Sequence, residues 1–162
     1  GLEGSDYSQK AQRAEWRLLG DCLKTCDITK PFTLWSVDNK IYQFDIITAW
    51  EVLEHISEKD LPQVFANIKK HLASTGFFVG SISNWPDIDP VSGENWHVTM
   101  HPYDWWKVRF EEFGFRICSN LFDAIDLARG GYNPPHCYEK PYPEYDPQKT
   151  FHIAAQVLNE RP

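Results

Sequence analysis

The chain has 162 residues and carries 23 Asp and Glu against 16 Lys and Arg, a net charge of −7. That balance argues against nucleic acid as the main partner, since no basic stripe answers the phosphates, and no apolar run approaches the roughly 20 residues of a membrane span. The length suits one domain with a real core. The four cysteines, Cys22, Cys26, Cys118 and Cys137, are scattered. They lack the spacing of a zinc site and fit buried thiols in a reducing cytoplasm.

Residues 1–5 read as the end of a strand and the turn after it, and residues 8–19 as the following helix. Residues 22–28 alternate well enough for a short strand, and residues 31–39 form a loop. Residues 44–49 make an apolar run with the length and bulk of a buried parallel strand. It runs into Trp50, Glu51, Glu54 and His55 with no Gly or Pro between them. Ligands of open α/β sheets bind beyond the carboxyl ends of the strands, so these groups stand where a ligand would sit.

A helix is expected next, capped by Asp60 with Gln63 as its capping-box partner and Pro62 in the first turn. Leu61, Val64, Phe65, Ile68 and Leu72 form its apolar stripe. Lys69 and Lys70 suit the dipole at its carboxyl end. Gly76 opens a buried strand over residues 77–82. Residues 84–99 form a long loop, residues 102–113 a helix ended by Gly114, and residues 115–121 a strand. Residues 130–149, rich in Pro, are irregular, and residues 150–158 are a last strand. Strands alternating with helices imply an α/β fold with a largely parallel sheet and helices on both faces.

Residues 44–55, Phe-Asp-Ile-Ile-Thr-Ala-Trp-Glu-Val-Leu-Glu-His, resemble the fourth motif of class I S-adenosylmethionine-dependent methyltransferases, of the type 11/12/23-like kind. The resemblance extends over residues 1–158. It implies a three-layer, doubly wound, mostly parallel Rossmann-like sheet with an antiparallel last strand. The family's first strand and its Gly-rich loop have no counterpart, since no Gly-x-Gly occurs. Residues 1–162 are therefore expected to be a single, N-terminally incomplete methyltransferase domain, binding S-adenosylmethionine weakly by itself. A sheet with such a gap would invite homo-oligomers.

Carried over residue by residue, the resemblance puts Glu3, followed by Gly4, at the ribose. A carboxylate there is a two-point acceptor for the vicinal diol. It puts Asp27 at the adenine amino group, Ile28 on the ring, and Trp50 and Glu51 beside the methionine and sulfonium. His97, in the loop after the fifth strand, is the expected base, because a neutral imidazole suits removal of a hydroxyl proton. His55 and His101 are the further catalytic candidates. Glu51, Glu54 and His55 form an alternative set of ligands for a divalent metal. The activity implied is methyl transfer from S-adenosylmethionine to a small-molecule or sugar acceptor at oxygen. The alternatives are a non-catalytic binding module on the same fold and a nicotinamide-dependent Rossmann enzyme.

Overall fold

The computed structural model describes residues 2–3, 24–118 and 150–158. Two short strands, β1 (Leu2–Glu3) and β2 (Lys24–Thr25), pair in parallel as one small sheet. Four more strands form a second sheet. They are β3 (Phe44–Trp50), β4 (Leu72–Ser83), β5 (Phe115–Ile117) and β6 (Thr150–Val157), in the order β3-β4-β6-β5. β3 runs parallel to β4, while β6 is antiparallel to both β4 and β5. The antiparallel last strand is thus as expected. The expected helix over residues 8–19 lies outside the described residues, as do residues 119–149.

The connection from β3 to β4 carries helix α1 (Leu61–His71). Its apolar stripe buries Leu61, Val64 and Phe65. The capping box does not form. Asp60 stands at the N-cap with helical backbone angles and makes no side-chain bond to the helix. Its carboxylate instead accepts the Ser57 hydroxyl at 2.6 Å. The stripe's last member, Leu72, is already the first residue of β4. The strand is longer than the sequence suggests and runs through Gly76 instead of beginning after it.

Helix α2 (Tyr103–Glu112) follows the long loop. Trp106 and Phe110 point into the core, and Gly114 closes the helix at φ 84°, a conformation that favours glycine. The core is largely aromatic. Phe65 packs edge-on to Phe110 and stacks on Phe113, both at 4.6 Å between centroids. Phe115 and Phe78 complete the cluster. Burying a side chain of this size contributes about 1.5–3 kcal/mol, so this cluster fixes both helices on one face of the β3–β6 sheet.

β3 is less buried than its composition suggests. Phe44, Ile47, Ala49 and Trp50 are half-buried, but Ile46 is 60% exposed. The reason is its place in the sheet. Among the described residues β3 pairs only with β4, so a run that reads as a central strand occupies an edge. The two cysteines described, Cys26 and Cys118, are also only half-buried, against the expectation of buried thiols.

β3 and β4 approach closely at Gly80. A Cβ added there would lie 2.4 Å from the Ala49 carbonyl oxygen, well inside van der Waals contact. Gly80→Ala is therefore expected to destabilise the fold by about 1–3 kcal/mol, the usual cost of forced overpacking. A urea titration should show the lower midpoint.

Candidate functional site

The site starts where β3 ends. Glu51 takes φ 52°, a left-handed conformation unusual for a residue with a side chain. Its N–H is shared between the Ser81 carbonyl and the Ser81 hydroxyl, both at 3.2 Å. This bend lifts the chain off the sheet into a short 3-10 turn, Leu53–His55. Strained backbone of this kind is retained where surrounding contacts over-determine it, and such places are often functional.

The bend and the turn bring two carboxylates onto one residue. Glu51 accepts the Ser83 hydroxyl through Oε2, and Glu54 Oε1 accepts the Ser83 N–H at 2.9 Å. Each carboxylate keeps its other oxygen, Glu51 Oε1 and Glu54 Oε2, buried without a partner among the described residues. Glu54 is fully buried, and burial pushes its carboxyl up from 4.5 to about 7, against the pull of its hydrogen bonds and with a small push from Glu51.

The same turn holds the histidine-bearing loop. The Glu54 carbonyl accepts the N–H groups of Val98 and Thr99 at 2.9 and 3.0 Å. The Thr99 hydroxyl donates to the Ile56 carbonyl at 2.6 Å. His55 and His97 thereby meet edge to face, their centroids 4.7 Å apart. His55 Nδ1 lies 2.9 Å from the Trp96 carbonyl, and His97 Nδ1 lies 2.6 Å from the Trp85 carbonyl. A carbonyl oxygen only accepts, so both Nδ1 atoms carry the proton. In the neutral rings each Nε2 is left as a lone pair. His97 is buried, whereas His55 is exposed at its rim. Partial burial and then the neighbouring His97 lower the pKa of His55.

His101 is engaged elsewhere. Its Nε2 lies 2.8 Å from Glu58 Oε1, and its ring stacks on Trp105 at 3.9 Å, with Arg109 over the other ring system. Among the described residues no group of three His, Cys, Asp or Glu side chains could hold a metal ion, so the alternative ligand set of Glu51, Glu54 and His55 is not assembled. Trp50 meets His152 of β6 edge-on at 6.1 Å.

Of the positions assigned to the nucleoside, Glu3 is the last residue of β1, in register with Thr25 of β2. Gly4 lies outside the described residues. Asp27 follows β2 and is exposed. Its Oδ1 accepts the Thr29 N–H at 2.9 Å and the Thr29 hydroxyl at 2.6 Å, bonds that hold its carboxyl below the usual range. Ile28 packs against the core. Sequence reasoning missed Ser81, Ser83 and His152. The two serines were findable, because polar residues at period two near the end of an apolar strand mark one face of that strand.

Strand order and polar groups gathered at strand ends define a Rossmann-like α/β domain. Residues 2–78 match the family model described as a methyltransferase domain. Among solved structures, the glycopeptide N-methyltransferase MtfA complexed with sinefungin is 12% identical, with TM-score 0.57, covering 96% of this chain and 75% of that one. An S-adenosylmethionine-dependent methyltransferase from Clostridium acetobutylicum ATCC 824 is also 12% identical, with TM-score 0.60 and coverage of 98% and 74%. The N-methyltransferase NodS from Bradyrhizobium japonicum WM9 is 13% identical, with TM-score 0.52 and coverage of 98% and 72%. At such identities the solved structures speak to the fold. The chain has the fold of class I S-adenosylmethionine-dependent methyltransferases, with residues 2–78 carrying the family match, and MtfA is also solved in complex with (S)-adenosyl-L-methionine. No described helix is long and apolar enough to cross a membrane.

The buried Glu54 gives the fold a pH dependence of fixed sign. Its carboxyl titrates higher in the folded chain than in the unfolded one, so its contribution is full below the unfolded pKa of 4.5 and is lost as pH rises through about 7. Thermal melts from about pH 5 to pH 8 should show wild-type stability falling relative to Glu54→Gln, which keeps an acceptor for the Ser83 N–H and cannot ionise.

Proposed function

We propose that the chain transfers a methyl group from S-adenosylmethionine to an oxygen of a small-molecule or sugar acceptor, with His97 as the base. The observation that carries this reading is the Nδ1–H of His97 donated to the Trp85 carbonyl, which fixes Nε2 as the basic atom. When bound, the cofactor supplies an electrophilic methyl group on a sulfonium.

The chemistry of the residues present suits the cofactor's hydrogen-bonding groups and charge. Glu3 ends one strand of the parallel pair and takes the ribose hydroxyls, with Gly4 after it. Asp27, already oriented by its turn with Thr29, takes the adenine amino group, and Ile28 packs on the ring. Trp50 and Glu51 flank the methionine end. The buried, unpartnered Glu51 Oε1 is a free acceptor at that end, suited to a cationic group.

At the acceptor side, His97 Nε2 receives the hydroxyl proton as the oxygen attacks. The imidazolium so formed is held by the Trp85 carbonyl through Nδ1–H. His55 stands edge-on beside it as the second candidate for the same task. Within the segment from Trp85 to Trp106, the partly exposed Trp85, Trp96 and Trp105 contribute aromatic surface that grips the acceptor and excludes water, while Trp106 belongs to the core. Most of the rate would come from holding the acceptor in line, with the base adding a factor of about 10²–10⁴.

Two measurements test the assignment. With an acceptor found by screening hydroxylated small molecules and sugars, His97→Ala should lower turnover by about 10²-fold and leave S-adenosylmethionine affinity nearly unchanged. Wild-type turnover in that variant from about pH 6 to pH 9 would move the role to His55 or to none. Glu3→Ala should weaken S-adenosylhomocysteine binding by about 1–3 kcal/mol in calorimetry, the scale for hydrogen bonds to a charged group. Equal affinities would remove Glu3 from the ribose site.

A further inference from the structure

Helix α1 has a second stripe besides its apolar one. Gln63, Asn67, Lys70 and His71 fall at i, i+4, i+7 and i+8, on one side of the helix. Asn67 and His71 are only 4% and 2% exposed. Polar side chains so buried need partners, and these find them in the main chain of the loop after β2.

Asn67 uses every hydrogen-bonding position it has. Its Nδ2 donates to the carbonyls of Ile28 and Lys30 at 2.9 and 2.8 Å. Its Oδ1 accepts the Gln63 amide at 3.1 Å and the Phe32 N–H at 3.5 Å. His71 continues the grip. Its Nδ1–H donates to the Asn67 carbonyl at 2.8 Å, and its Nε2 accepts the Leu34 N–H at 3.0 Å. Phe32 stacks on the His71 ring at 5.1 Å. Lys70 donates to the Phe32 carbonyl at 3.1 Å and also to the Thr33 hydroxyl.

We infer that Asn67, backed by His71, is a positioning residue for the cofactor: it sets the backbone of the loop that carries Asp27 and Ile28. This rests on the reading that Asp27 and Ile28 hold the adenine. The loop has no strand pairing of its own between Thr25 and the isolated bridge at Trp35. Its path is therefore set by what grips it from outside. The Asn67 amide bonds the carbonyls on either side of Thr29, the residue that also orients the Asp27 carboxylate. A shift of the Asn67 side chain would move the Asp27 turn as a unit.

The test uses the whole chain, with S-adenosylhomocysteine as the probe. Asn67→Leu keeps much of the side-chain bulk and removes both donors and the acceptor. Its affinity for the probe is expected to fall about tenfold, as for the loss of one to two buried hydrogen bonds. Hydrogen exchange at the Phe32 and Leu34 amides should quicken without any ligand. Val64→Ala is the control for stability alone, because it deletes buried methyls on the apolar face of the same helix. That variant should melt lower and bind the probe as the wild type does. Equal loss of affinity in both variants, or wild-type affinity in Asn67→Leu, would overturn the inference. Unchanged exchange at Phe32 and Leu34 would overturn it whether or not the probe binds. Asp27→Ala separates this inference from the reading beneath it. If that variant binds normally while Asn67→Leu binds weakly, the adenine role of Asp27 falls and the grip on the loop stands.

Discussion

Ser83 is the point on which the site depends. It ends β4, and both of its polar groups face backward onto the segment that leaves β3. Its hydroxyl holds Glu51, and its backbone N–H holds Glu54. Without those two bonds the left-handed bend at Glu51 would lose part of what maintains it, and the following turn would have no fixed height above the sheet. The Glu54 carbonyl then carries Val98 and Thr99, and through them the loop of His97. The parallel pairing of β3 with β4 is thus transmitted, bond by bond, to the position of an imidazole far along the chain. Fully buried, Glu54 couples this scaffold to its own protonation.

Much of this was legible from residue order. The run from Phe44 to Ala49 read as a strand, and the acids and His55 after it as groups at its carboxyl end. The apolar period of α1 and the closing Gly114 were equally plain. What could not be read depends on partners distant in sequence. Ile46 looked buried, because a run of large apolar residues does not say how many neighbours its strand has. Asp60 looked like a cap, but Ser57 competes for its carboxylate. His101 shares a loop with His97, yet Glu58 and Trp105 draw it to a different neighbourhood.

The polar side of α1 shows the same limit from the opposite direction. Asn and His on a helix that already has a complete apolar stripe read as a solvated face. Their burial follows from the loop folding over them, which no periodicity announces. Lys70, placed by the dipole argument at the helix end, turns out to serve the loop as well. A residue chosen for one local reason therefore acts in a tertiary contact that the local reason does not contain.

That grip is made almost wholly with backbone atoms of the loop: the carbonyls of Ile28, Lys30 and Phe32 and the amides of Phe32 and Leu34. Main-chain atoms are the same in every amino acid but proline. Side chains at Lys30 or Leu34 are consequently free to drift in related chains without loosening the loop, whereas Thr33 also lends its hydroxyl to Lys70. The inheritance constraint is displaced onto the helix, where Asn67 has no substitute that both donates twice and accepts twice from the same place.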